Sequence, residues 1–364
     1  MVSNDHQGQA QAADLLAKTW MEQIAADSAR CGNGVYRFRG ELGDFFDPRC
    51  LLGDPLGVLA RAIEDSAVIS LQLAQSAFRL IGPTGLPTLQ GLTEDFDLSP
   101  YLSVEPLRLL IEKNIDLGRI ARSDRKLRVI ASNWERGEVT VFRNEELAAP
   151  DGHKAILASA AMPGFFPPVE VDGEVCVDGG VIMNTPLVPA IRAEADVIHM
   201  IYLDPDPRQI PVQQQASLLD SMDRMLAIQF AIKIKEDIAT LDWINRGLEV
   251  VEKASRNEPL VREEERSFVR VAAQFARRIG EGLPYRKITL HRYFPKKDIP
   301  GGLLGYLDYE AGRIEQLIQR GRADAAEHDC TTNGCLLPEQ EPKAPASAPP
   351  KHSPGAEARR GGKA

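Results

Sequence analysis

The run Val175-Cys176-Val177-Asp178-Gly179-Gly180 ends a short apolar stretch on one carboxylate backed by two glycines. An aspartate held at such a tip can act as a general base toward a nearby hydroxyl. Upstream stands Ser159-Ala160-Ala161-Met162-Pro163-Gly164-Phe165-Phe166-Pro167-Pro168, and downstream Asn184-Thr185-Pro186. The apolar run 174–177 predicts a strand. The glycines allow another backbone or a substrate to approach closely. The end of a strand is where α/β folds place their sites. Asp-Gly-Gly alone is also ordinary turn composition, so its neighbours have to decide its meaning.

A base needs a partner, and the usual one is not found. No Gly-x-Ser-x-Gly, the strained turn that exposes a nucleophilic serine, occurs in the 364 residues. Ser3 has Val2 and Asn4 as neighbours and no flanking glycine. Ser132 reads as a polar residue at a strand end, and Ser159 as a small residue permitting close packing beneath the site. Cys176 shares a strand face with Asp178 by alternation, but an unpaired cysteine usually behaves as a small buried hydrophobe. An aspartyl phosphatase would want Asp-x-Asp, and Gly180 occupies the second position.

The elements that position these residues follow from periodicity. Residues 12–28 predict a helix with Leu15, Leu16, Trp20 and Ile24 on one side, and 56–80 predict one or two more helices. Ser103 is placed as cap of a helix with Pro106 in its first turn. Strands are expected at 127–132, 138–142 and 197–203 (buried), and short helices at 155–161 and 184–194. Asp204-Pro205-Asp206 reads as a turn rather than a metal site. Residues 216–254 and 263–279 predict helices, and Asp308 is placed as cap of a last one. The glycine-rich 301–305 lacks the Lys-Ser/Thr of a phosphate loop.

Taken together, residues 158–169, Asp172-Gly173, 177–181, Asn184-Thr185-Pro186 and the strand entry 195–198 resemble the patatin-like phospholipase family. These are serine lipid acyl hydrolases that work with a Ser-Asp dyad. Lesser matches are 127–133, Phe142 and 288–290. The resemblance spans about residues 16–325 and is most specific over 155–203. It implies a three-layer α/β/α fold with a mainly parallel central sheet and a helical C-terminal extension. It also implies Asp178 as proton acceptor within the motif Asp178, Gly179, Gly180, supported by Ser159, Pro163, Gly164 and Asn184. The implied substrate is a lipid or other acyl ester, reached through peripheral membrane contact, with no cofactor and no metal.

Two parts of the family pattern are missing: the glycine-rich oxyanion loop and the nucleophile elbow. In the family, both precede a segment like Leu15-Leu16-Ala17-Lys18-Thr19-Trp20, and only fourteen residues precede Leu15 here. The expectation is therefore an N-terminally truncated domain whose sheet lacks its first strands and which is inactive alone. The alternative is a non-catalytic lipid- or protein-binding remnant of the same fold. The expected organisation is an incomplete patatin-like domain over 1–207, a helical region over 208–330 and a disordered Pro/Ala-rich tail over 331–364.

Composition restricts the classes further. With 43% hydrophobic and 26% charged residues the chain can bury a sizeable core. A formal net charge of −9 argues against a nucleic-acid partner. Cys31, Cys50, Cys176, Cys330 and Cys335 are scattered and odd in number, which fits a reducing cytoplasm. Cys330 and Cys335 have His328 close by but no fourth ligand at the usual spacing, so no zinc site is expected. No signal peptide and no apolar run of membrane-spanning length is visible.

Overall fold

The computed structural model describes residues 6–26, 33–40, 55–81, 101–203, 218–255, 287–297 and 305–338. The chain divides into two compact units, residues 1–244 with 288–336, and residues 245–287 with 337–364.

In the first unit, strands β1 (Arg37–Phe38) and β2 (Leu102–Ser103) form a small antiparallel pair. The main sheet has four strands: β3 (Val129–Asn133), β4 (Glu138–Phe142), β5 (Val169–Val171) and β6 (Glu174–Asp178). Their order is β4-β3-β6-β5, and every pairing is antiparallel. Two tight turns account for two of these pairings, β3–β4 and β5–β6. Between β3 and β4 the Asn133 side-chain oxygen accepts the N–H groups of Glu135 (3.1 Å) and Arg136 (2.9 Å), and Gly137 takes a φ of 67°. Between β5 and β6, Asp172 and Gly173 have φ of 52° and 78°, which suits an Asp-Gly hairpin turn.

Among the described residues, parallel pairing of strands is found between β7 (Val197–Ile201) and β8 (Thr289–Tyr293), beside a single parallel bridge between Ala26 and Glu310. The expectation of a mainly parallel sheet is not met there, because turns of two and four residues join only antiparallel neighbours; a parallel crossover takes a dozen residues or more. The α/β class stands. Strand β7 is also less buried than its sequence suggests: Met200 is buried, but Val197 and Ile201 are 52% and 74% exposed.

The helices are α1 (His6–Thr19), continued as one π-helical turn over Trp20–Ile24, α2 (Pro55–Ile81), α3 (Glu105–Asn114), α4 (Leu117–Ala121) and α5 (Asn144–Leu147). They continue with α6 (Gly152–Ala158), α7 (Gly180–Met183), α8 (Leu187–Arg192), α9 (Leu218–Ser255) and α10 (Ala311–Ala326). Leu15 and Leu16 are exposed and only Ile24 of the expected stripe is buried, so the π turn re-aims the chain into the core. Ser103 lies on β2, and its hydroxyl accepts the Glu105 N–H at 3.4 Å from one residue before the N-cap, Val104. Asp308 similarly accepts the N–H of Glu310, which is itself the N-cap of α10.

Three apolar clusters hold this unit. One joins Ala131 and Cys176 of the sheet to Leu147, Ala155 and Ala158. A second gathers Ile24, Tyr36, Leu102, Phe165, Phe166 and Ile314. A third packs Leu187, Met200 and Leu290 with Leu241 of α9. Burying such side chains stabilises a fold by about 1.5–3 kcal/mol each. In the second unit, the described residues include the end of α9, where Asn245 and Val250 are buried. The expected helix at 263–279, most of the glycine-rich 301–305, Asp204-Pro205-Asp206 and the tail beyond residue 338 lie outside the described residues.

Candidate active site

Asp178 is the last residue of β6, paired in register with Ala131 of β3. Its position is fixed from two sides. Its N–H donates to the Ala161 carbonyl at 2.9 Å, tying the strand end to the turn that follows Ser159. Its Oδ1 accepts the Gly180 N–H at 2.7 Å. No other donor and no cation contacts the carboxylate among the described residues, so Oδ2 is left free to accept a proton. Burial pushes the carboxyl above its ordinary range, and the single Gly180 bond offsets this only in part.

The two glycines have separate reasons. Gly179 has an ordinary φ of −62°, so conformation does not require it. A Cβ there would stand 2.5 Å from the Ile130 carbonyl oxygen, and that close backbone approach excludes any side chain. A Cβ on Gly180 would stand 3.0 Å from Asp178 Oδ1 and 3.1 Å from Asn184 Oδ1. Asp178 and Asn184 therefore flank one bare backbone position, the Asn184 side chain arriving from the far end of α7.

The remaining expected site residues are arranged around this tip. Ser159 caps the C-terminus of α6, half-buried, and begins the turn whose Ala161 carbonyl holds Asp178. Gly164 has a φ of +86°, and the turn it makes beside Pro163 sends Phe165 and Phe166 into the core. That turn anchors the approach to the site; it brings no second catalytic group. Ser132 is buried on β3, and its hydroxyl faces the Gly179 carbonyl at 3.5 Å, beneath the motif rather than in front of it. Cys176 is free and buried, and burial pushes its thiol up, the behaviour of a core residue.

A second constellation was not legible in the sequence. His291 of β8 meets His328, Cys330 and Cys335, and one ligand atom from each lies within 4.8 Å of all the others. The sequence places three of these together after α10. The fourth comes from a separate strand, so only knowledge of the β8 register could have completed the set.

Residues 51–191 match the family model described as patatin-like phospholipase, a span that includes Asp178 and its supporting turn. No curated protein matches the chain.

Proposed function

We propose, from the match of residues 51–191 to the patatin-like phospholipase family model, that the chain contributes the aspartate half of a lipid ester hydrolase. Asp178 is the general base of a Ser-Asp dyad in this reading. Its free Oδ2 accepts the proton of a serine hydroxyl, the resulting alkoxide attacks an ester carbonyl, and an acyl-enzyme forms for water to cleave. The observation that supports it best is the carboxylate itself, half-buried at the strand end, bonded by one N–H and, among the described residues, paired with no cation. A carboxylate neutralised by an arginine would be a weaker base.

The 364 residues contain neither the serine elbow nor a glycine-rich oxyanion loop. The reading therefore has this polypeptide inactive by itself, since an oxyanion donor alone is worth about 100- to 1000-fold in rate. Helix α2 favours a lipid substrate and peripheral membrane contact. Leu56, Leu59, Ile63 and Leu71 fall on one face at helical spacing and are 79%, 52%, 65% and 61% exposed. That face equally suits the second reading, a non-catalytic lipid- or protein-binding remnant. A cytoplasmic location belongs to both, resting on the scattered cysteines. Among the described residues no helix is long and apolar enough to cross a membrane.

Hydrolysis of short p-nitrophenyl esters separates the two readings. The 364-residue chain should match its Asp178→Asn variant. Joined to a glycine-rich loop and a Gly-x-Ser-x-Gly elbow ahead of residue 1, it should gain hydrolysis that Asp178→Asn lowers by about 100- to 10,000-fold. A joined protein that folds but gains no Asp178-dependent activity would favour the binding reading.

A further inference from the structure

We propose that His291, His328, Cys330 and Cys335 form a structural zinc site that pins the segment after α10 onto β8. The argument is independent of the hydrolase reading. Cys330 Sγ lies 3.4 Å from His291 Nδ1 and 3.5 Å from His328 Nε2, and Cys335 Sγ lies 3.7 Å from His328 Nε2. A tetrahedral zinc with Zn–S of about 2.3 Å and Zn–N of about 2.0–2.1 Å has S···N edges of roughly 3.6 Å. All three separations fall beside that value. Two thiolates and two imidazoles around Zn²⁺ make a neutral centre, and this donor set selects zinc over hard cations such as magnesium or calcium.

The surroundings are built to hold the ligands. Asp329 Oδ1 accepts the Thr332 N–H at 2.7 Å, and Cys335 N–H donates to the Cys330 carbonyl at 2.9 Å, closing the loop. Gly334 makes the reversal with a φ of +63°, which returns Cys335 to Cys330. The Arg292 N–H reaches Cys335 Sγ at 3.4 Å, a bond that a thiolate strengthens. His199 stacks on His291 with centroids 4.9 Å apart, and Tyr293 on His328 at 4.2 Å. Beyond the cysteines the chain pairs with β8, through Leu290 N–H to the Leu336 carbonyl (2.8 Å) and its reciprocal (2.9 Å).

Four protein ligands leave no open position, so the site is structural rather than catalytic. Binding releases the two thiol protons and places the His328 ring proton on Nδ1. The Asn333 amide, now 2.9 Å from that nitrogen through its Nδ2, would turn its oxygen toward it and give up its bond to the Arg292 carbonyl.

The test uses the full chain and zinc or cobalt alone. Metal analysis of the purified protein should find about one zinc per chain. After chelation and desalting, Co²⁺ should produce the strong visible absorption of a tetrahedral thiolate centre, and zinc should displace it. Cys330→Ser and Cys335→Ser should each lose that absorption, Cys176→Ser should keep it, and Asn333→Ala should weaken zinc about 10- to 100-fold. Because a ligand variant can fail to fold, maleimide labelling of the wild-type chain gives a second reading. Zinc should protect Cys330 and Cys335, and a chelator should restore their labelling. A folded chain that binds no zinc or cobalt, a metal that survives the double cysteine variant, or a native Cys330–Cys335 disulfide would each overturn the proposal.

Discussion

Asp178 is a residue whose chemistry comes from what does not touch it. One N–H, from Gly180, meets its carboxylate, and burial makes it hold its proton more tightly than an exposed aspartate. The motif was legible in sequence because this chemistry leaves little choice of residue: a carboxylate, then positions where a side chain cannot fit. What the sequence did not carry is why each glycine is needed. Gly179 answers to the Ile130 carbonyl across the sheet, a contact set by the β3–β6 register and invisible to a local pattern. Gly179→Ala should therefore destabilise the chain by about 1–3 kcal/mol, as overpacking does. Gly321, in open space within α10, is the contrast: Gly321→Ala should stabilise by about 0.5–1 kcal/mol. Denaturant midpoints read both, and a Gly179→Ala variant as stable as the parent would contradict the close approach.

Among elements, the described side chains of α2 bury only Val58 and Asp65, and the second is held by an ion pair. Arg37 on β1 donates to both Asp65 oxygens, at 2.5 and 3.0 Å, and the Gly40 N–H adds a third bond at 3.1 Å. Burial pushes the Asp65 carboxyl up. The Arg37 bonds, the Gly40 N–H and the charges of Arg37 and Arg39 outweigh it and hold the carboxyl below its ordinary range. Asp65→Ala leaves the half-buried Arg37 without this partner and should cost about 3 kcal/mol at neutral pH, the low end for breaking a buried pair. A depressed carboxyl contributes stability above the unfolded value of about 3.9 and loses it as pH falls through the folded value. The gap between parent and Asp65→Ala should thus narrow in acid, and a gap constant with pH would refute the pairing. Periodicity located α2, β3 and β4 to within a few residues, because their apolar spacing is local. It misjudged β7 as buried, since an apolar run does not say whether a neighbour covers it. Strand direction was equally hidden: turn lengths at 134–137 and 172–173 set the β3–β4 and β5–β6 pairs, and the β3–β6 pair forms across a long connection.

At the scale of the whole chain, the two sites use folding differently. The His/Cys cluster needs β8 and the segment after α10 brought together, which no spacing rule links. The Asp178 site needs the four-stranded sheet and the turn after α6 to withdraw one acid partly from water. That withdrawal has a sign. A carboxyl raised in the folded chain contributes full stability below the unfolded value of about 3.9 and loses it as pH rises through the folded value. Ionised Asp178 is thus a strain on the fold at neutral pH, consistent with a base kept for chemistry rather than for stability. The direct measurement is the titration of the Asp178 carboxyl carbon by NMR in the intact chain, assigned against Asp178→Asn. A midpoint clearly above about 3.9 is predicted. A midpoint at or below the value of a solvated aspartate would contradict the assignment of Asp178 as the poised proton acceptor.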